Sequence, residues 1–380
     1  MDLSYSDEQK QIKEGVERFV REEYAFETRR KIAATPRGWL PGNWAKFAEL
    51  GWLGMAFSEE DGGFGGGAVE TSIIMEAFGS GLVLEPYLPT VLLGGGALAL
   101  GGSKAQKDAL LAPMIEGKKQ FAFAYVEKQS RYNLADVAVT ARKDGAGYVL
   151  DGHKGVVYNA ASADQIFVTA RTAGGQRDGK GVTLFVVDAD AAGLSRRDYP
   201  TQDSLRASEL TFRNVKVGAD AVIGTLDEGA SLVERVVDRA IVGICAEAVG
   251  CMDAVNKATL EYIKTRKQFG VAIGKFQVLQ HRMVDCFTNA QEARSMTLMA
   301  SLKIDDPDVD TSRKAASGAK VQIGKSGKFV GQSAVQMHGG MGVTDELSVS
   351  HYFKRLTMID TMFGSQQHHL TRYGNISMAA

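Results

Sequence analysis

The sequence lacks most of the signals that would assign it quickly. Its 380 residues carry only three cysteines, Cys245, Cys251 and Cys286, with no C-x-x-C pair. A disulfide scaffold is therefore excluded, and a reducing compartment is expected. Charge of one sign is not in excess: Lys+Arg 44 against Asp+Glu 45 leaves a formal net charge of −1, which removes the bulk attraction of a dedicated nucleic-acid binder. No long hydrophobic run occurs. Val91 to Leu100, the most apolar stretch, is about half a membrane-spanning length and contains three glycines, so a buried helix is expected there and no membrane insertion. MDLSYSDEQK shows no basic-then-apolar leader and SMAA no lipidation or peroxisomal tripeptide, which points to the cytoplasm.

Local chemical signatures are also scarce. The six histidines form no H-E-x-x-H or Cys–His spacing, so no metal site is expected. No G-x-S-x-G elbow is present. The glycine run DGGFGGG (61–67) lacks a following Lys-Ser/Thr and a βαβ setting, so it reads as a flexible loop between helices rather than a phosphate cradle. No internal repeat and no low-complexity tract is found.

What is present is an ordinary globular composition, 44% hydrophobic and 23% charged, in three blocks. Residues 1–118 read as helical. Ser6/Gln9 and Ser103/Gln106 are capping-box pairs, and Val69, Ile73, Ala77 and Phe78 share a helical face. Residues 119–228 read as strands: 121–126, 137–141, 148–152, 165–171, 182–188 and 209–217, separated by turn signals such as KDGAG. Strands with no long intervening helix predict an antiparallel sheet or barrel. Residues 229–380 return to helical spacing, with a long helix predicted over 311–337. The fold class is α+β.

Two segments point to chemistry. Arg266-Lys267-Gln268-Phe269-Gly270, followed by Phe276-Gln277, offers a forked donor suited to a pyrophosphate. Gln336-Met337-His338-Gly339-Gly340-Met341-Gly342 ends the long helix with glycines that let a ligand approach backbone N–H groups. Read singly, each is equally well an ion-paired arginine or a glycine helix cap. Together with SEEDGGFGG (58–66) and DGHKGVVYNAASADQ (151–165), in this α–β–α order, they resemble the acyl-CoA dehydrogenase family over essentially the whole chain. The resemblance implies a helical N-terminal domain, a middle β domain and a C-terminal four-helix bundle. It also implies FAD between subunits of a tetramer, an acyl-CoA ligand and electron-transfer flavoprotein as acceptor. Residues carried over as FAD contacts are Arg266, Phe269, Gln277, Gln336, Gly339, Gly340, Ser365 and Gln367.

The chain also departs from that family. The resemblance implies a Glu base for α,β-dehydrogenation before a Gly-Thr pair near the C-terminus; Phe363 stands there. The alternative family position, on an earlier helix, falls at Ala240, with Ile241 where an Arg helps hold CoA. Asp238 is the remaining weak candidate for a base; its plainer reading is a surface ion pair with Arg239. The flavin-binding run T-E-P-x-x-G-S-D corresponds to Val126 through Asn133, so a hydroxyl becomes Val126, a glycine Arg131 and a serine Tyr132. The W-I-T-N strand corresponds to Val156-Val157-Tyr158-Asn159. These changes resemble the small, non-catalytic subunit of pimeloyl-CoA dehydrogenase-type enzymes. They imply a Glu-containing large subunit, an α2β2 tetramer and a role in acyl-CoA catabolism. The rival readings are a homo-oligomeric flavoenzyme with another base and a flavin-free binding or regulatory homologue.

Overall fold

The computed structural model describes residues 4–379; Met1–Leu3 and Ala380, part of the segments read above for targeting signals, lie outside the described residues. The chain divides into two compact units. One comprises the chain up to Lys31, Ala68–Val83 and Ile241 onward; the other comprises Ile32–Gly67 and Leu84–Ala240.

The first unit is helical. Helix α1 (Asp7–Glu23) opens on the reciprocal Ser6/Gln9 capping box and buries Val16, Phe19 and Val20, so its first orphan amides are satisfied as the sequence requires. Helix α2 (Phe26–Ala33) comes next in the chain, and α1 packs on α4 (Ala68–Gly81). The 37-residue helix α8 (Gly229–Thr265) meets α4 at two glycines. A methyl group at Gly79 or Gly250 would collide with the carbonyl of Glu247 or Glu76. The absence of side chains there brings the backbones together. Helices α9 (Gln277–Lys303), α10 (Val309–His338), α11 (Ser348–Thr361) and α12 (Gln366–Ala379) complete the unit. Helix α10 packs against α9, α11 and α12, and its observed span agrees with the predicted long helix. Arg355 on α11 donates to both carboxylate oxygens of Glu247 on α8, at 2.6 and 2.7 Å, with both groups buried.

In the second unit, α3 (Pro41–Glu49) stops before Gly51, which has φ +76°. The glycine run, expected to be flexible, is instead braced. Gly63 and Gly65 donate to the carbonyls of Ser58 and Phe57, and Lys107 pairs with Asp61 at 2.9 Å. The apolar stretch near Val91 is buried and helical, running as a π-helix over Leu88–Gly95 and then as α5 (Gly96–Gly101). Two shorter helices follow, α6 (Lys104–Gln106), which keeps the Ser103 capping box, and α7 (Ala112–Ile115).

An eight-stranded sheet follows: β1 (Phe121–Ala124), β2 (Thr140–Asp144), β3 (Gly147–Tyr158), β4 (Gln165–Arg171), β5 (Val182–Asp188), β6 (Leu194–Pro200), β7 (Arg206–Val217) and β8 (Val222–Ile223). Its order is β6-β7-β3-β2-β4-β5-β8, with β1 beside β4. Most pairings are antiparallel, as expected, but β1 and β2 run parallel to β4, so the sheet is mixed. One strand expectation needs correcting, and one strand was not expected. Only Thr140 and Ala141 of the 137–141 run belong to a strand. The amide of Val137 goes to Gln176, and those of Ala138 and Val139 go to the Glu127 carboxylate, which displaces a ladder. Strand β6 was not legible, because SRRDY has no apolar alternation; it is an exposed, charged edge.

Candidate functional site

The two sequence motifs of the helical unit meet. Tyr262, in the last turn of α8, stacks on His338 at the end of α10, with ring centroids 4.2 Å apart and planes at 27°. Arg266 follows one turn later. Its backbone N–H donates to the Tyr262 carbonyl, its own carbonyl accepts from Ile273, and the guanidinium side is exposed. Between these bonds, strands β9 (Lys267–Gln268) and β10 (Val271–Ala272) form a hairpin. Phe269, at its tip, has φ +53°, is 90% exposed and meets Phe276 edge-on. Gln277 opens α9 and is exposed. On the other motif, Gln336 is exposed, and its carbonyl accepts from the Gly339 amide as the helix ends. Gly339 has φ +61°, and open space lies where a Cβ would stand on Gly339 or Gly340. An exposed arginine and an uncovered glycine turn thus lie on one stacked junction, an arrangement that fits an anionic, nucleotide-like group.

Ser365 and Gln367 do not belong to this cluster. They sit at the start of α12, whose Gln366 packs over Gly324 in the middle of α10. From Gly324 to Gly339 the helix rises roughly 20 Å at about 1.5 Å per residue. One nucleotide half does not reach both groups.

Beside Ser365 is Phe363, buried, with φ +59°. A bulky side chain in the left-handed region is an outlier that its surroundings must enforce. Lys320, fully buried on α10, donates to the carbonyls of Asp360 (2.9 Å) and Gly364 (2.7 Å). His369 Nε2 donates to the carbonyl of Phe363 at 3.1 Å. Burial pulls the Lys320 ammonium down to about 8. Sequence reasoning missed this clamp. Its signal was a lysine on the small-residue face formed by Ala316, Ala319 and Gly324.

Burial, and then the Lys320 cation, push the His369 imidazole down to about 3 from its ordinary 6.5. Below pH 6.5 the unfolded ring takes up a proton that the folded ring refuses. The stabilisation is therefore complete above pH 6.5 and lost as pH falls toward the folded value. The loss is about 1.4 kcal/mol per pH unit, or about 2 kcal/mol by pH 5. Urea unfolding midpoints from pH 7 to 5 should fall more steeply for the parent than for His369→Gln; equal slopes would contradict the assignment.

In the sheet unit, the segments 126–133 and 156–159 are joined. Gly155 donates to the Val126 carbonyl at 2.9 Å. Lys154, with no exposed surface, donates to Glu127 Oε1 (2.6 Å) and Thr169 Oγ1 (2.8 Å). Burial brings Lys154 down to about 8. Burial would raise Glu127, but the Lys154 charge and several hydrogen bonds hold it below the usual carboxylate range. Tyr125, Tyr132 and Tyr158 interact electrostatically, and burial pushes the Tyr125 phenol far up. Val156, a β-branched residue at φ +52°, sits in a bulge of β3, where the pairing with β7 slips between Lys154 and Val157.

Asp238 is 5% exposed, so the expected surface ion pair is corrected: the carboxylate is inside. Ala240 and Ile241 are buried as well. A cleft of about 1050 Å³ on the sheet unit, lined by Ser103, Gln106, Asp188 and Lys216 among others, includes none of the sequence-derived site residues. Among the described residues, no group of three or more His, Cys, Asp or Glu could hold a metal ion, and no helix is long and apolar enough to cross a membrane.

The chain thus pairs a unit built on a mixed, mostly antiparallel sheet with a helical unit that carries an exposed arginine beside a glycine turn. Family models match along the chain in that order: acyl-CoA dehydrogenase N-terminal domain at residues 6–118, middle domain at 122–215 and C-terminal domain at 227–376. The chain belongs to the acyl-CoA dehydrogenase family, whose members are FAD-dependent oxidoreductases. It is 32% identical over 315 residues to acyl-CoA dehydrogenase FadE12 of Mycobacterium tuberculosis, covering 81% of this chain and 80% of that one. It is 30% identical over 330 residues to the 3-(aryl)acrylate reductase of Clostridium sporogenes, covering 85% and 86%. Among solved structures, the Tcur3481-Tcur3483 steroid ACAD superposes with a TM-score of 0.88 at 27% identity, covering 98% of each chain.

Proposed function

We propose that this chain is the non-catalytic subunit of a two-subunit acyl-CoA dehydrogenase, a cytoplasmic α2β2 tetramer active in acyl-CoA catabolism. Its domains are taken as 1–118, 119–228 and 229–380. It lends the ADP half of an FAD site to a Glu-containing large subunit, which handles the acyl-CoA thioester and passes electrons to electron-transfer flavoprotein. The observation that carries this reading is the contrast between two places. The Arg266–Gly340 junction is exposed and fits the nucleotide, whereas Phe363 is buried and clamped where the family's carboxylate would stand. Phenylalanine accepts no proton, so no general base acts from that turn.

The fit to the cofactor differs between its halves. Arg266 would donate to the pyrophosphate, and the Gly339–Gly340 turn leaves room for it. Tyr132 and Tyr158 bring bulk to positions where the resemblance places small flavin-contacting groups, and packed sites tolerate added volume poorly. FAD, when bound, supplies the two-electron acceptor. The steroid ACAD whose name joins two designations favours a paired assembly. So do the large apolar side chains left exposed at Phe269, Val278, Val284 and Phe287, since surfaces of that kind call for a cover.

Purified alone, the chain should hold FAD well below one per chain, and co-expression with a Glu-containing paralogue should bring flavin into an unlike complex. Absorbance after gel filtration reads both. One tightly held FAD per chain in a homo-oligomer would overturn the reading.

A further inference from the structure

Helix α2 is too short to hold itself. Its eight residues make about two turns, and isolated helices of that length are marginal in water. Along Phe26–Lys31, the part that belongs to the first unit, Arg29 alone is buried, at 2% exposed. Its Nε donates to the carbonyl of Leu82, just past the end of α4, at 3.3 Å. Its Nη1 lies 2.9 Å from Nδ1 of His351 on α11. A guanidinium only donates, so Nδ1 is the acceptor and carries no proton. The other ring nitrogen, Nε2, donates to the Asp345 carbonyl at 3.2 Å. Both contacts require the same neutral tautomer. Phe26, one turn before Arg29, meets the ring edge-on with centroids 5.0 Å apart.

A second proton on this ring acts differently on its two sides. At Nδ1 it sets N–H against N–H and imidazolium against guanidinium, so the bond to Arg29 gives way to repulsion. At Nε2 the bond to the Asp345 carbonyl survives, and the Asp345 carboxylate, 3.9 Å away, attracts the new charge. The charged groups acting on the ring are Arg29 from α2, Lys354 from α11 and Asp345 from the loop before α11. Arg30, also on α2, acts on Asp345. The end of α4 contributes carbonyls: Leu82 accepts from Arg29, and Ser80 accepts from the Tyr352 hydroxyl. That phenol does not titrate in acid, so α11 keeps its hold on α4. Burial, ahead of Arg29 and Lys354, lowers the His351 pKa from 6.5, which makes the neutral ring the resident form at neutral pH.

We propose that the Arg29–His351 contact is a proton-operated latch: the neutral imidazole holds α2 on α11, and protonation passes the ring to Asp345 and releases Phe26–Lys31. The latch is fully closed above pH 6.5, where a ring freed from the contact is also neutral. It weakens as pH falls from there toward the lowered folded value, by about tenfold in the open-to-closed ratio per pH unit.

Hydrogen exchange of the full-length chain tests this, read by mass spectrometry and corrected for the intrinsic pH dependence of exchange. From pH 7.5 to 5.5, protection of α2 peptides should fall about tenfold in the parent, while peptides from the middle of α10 stay unchanged. His351→Asn sets an amide oxygen near the place of Nδ1 with nothing to titrate, and should make α2 protection independent of pH. His351→Lys carries its charge throughout and should expose α2 at pH 7.5 as far as acid does in the parent. Unchanged α2 protection in the parent overturns the proposal without any variant, and so does an equal fall in α10, which would make the loss global. An acid loss as large in His351→Asn as in the parent overturns it as well.

Discussion

Replacing Lys154 by methionine is expected to cost about 3–5 kcal/mol of folding stability, because it strips the counter-charge from a buried carboxylate. Glu127 is 3% exposed and accepts from the amides of Ala138 (2.8 Å) and Val139 (3.2 Å), from Gln129 and from Lys154. With the ammonium gone, the carboxylate keeps its neutral donors and the through-space attraction of Arg171 but no directly paired cation, and little water reaches it to compensate. The pair also ties β3 to the turn that begins at Glu127, so Val126, Tyr132 and Tyr158 depend on it for their placement. Urea unfolding of Lys154→Met reads the loss. The double variant Glu127→Gln/Lys154→Met should recover much of it, since removing both charges removes the uncompensated one. A single-variant loss below about 1 kcal/mol would show that the carboxylate finds solvent, and the buried-pair argument would be wrong.

In a reconstituted pair, Arg266→Ala should lower FAD occupancy of the partner's site by roughly 10- to 150-fold in affinity, corresponding to charge-assisted bonds of about 1.5–3 kcal/mol. The guanidinium is exposed and its backbone is pinned to Tyr262 and Ile273, so truncation should remove the donor and leave the junction standing. Asp238→Asn should leave turnover within a few fold. Loss of a general base typically costs on the order of 10²–10⁴ in rate. A fall of that size with flavin retained would favour a homomeric enzyme using Asp238, and equilibrium dialysis of flavin beside a dye-linked turnover assay distinguishes the cases.

Much of this was legible because it is local. Ser6/Gln9 and Ser103/Gln106 form the capping boxes their spacing requires, since both partners lie within one helical turn. The strands at 165–171 and 182–188 appear as read, because continuous apolar residues bounded by turn signals leave few alternatives. Glu127 was visible as a residue, but its consumption of the Ala138 and Val139 amides was not, because a side-chain acceptor eleven or twelve residues away leaves no periodicity. Lys320 and His369 were missed for the same reason. Their acceptors are the carbonyls of Asp360, Phe363 and Gly364, and a carbonyl has no sequence identity.

The sequence by itself determined the family, the α–β–α order of the elements, the lack of a carboxylate at position 363 and the presence of Arg266 and the glycine turn. All of these depend only on residue identity and spacing along the chain. The tertiary structure alone decided which residues share a site. Stacking of Tyr262 on His338 brings the Arg266 and Gly339 motifs together, while the rise of α10 separates them from Ser365 and Gln367, although a linear comparison groups all of them. It also placed Asp238 inside rather than on the surface. Contacts of this kind depend on helix length and on which face meets a neighbour, and those follow from packing the whole chain rather than from any short stretch of it.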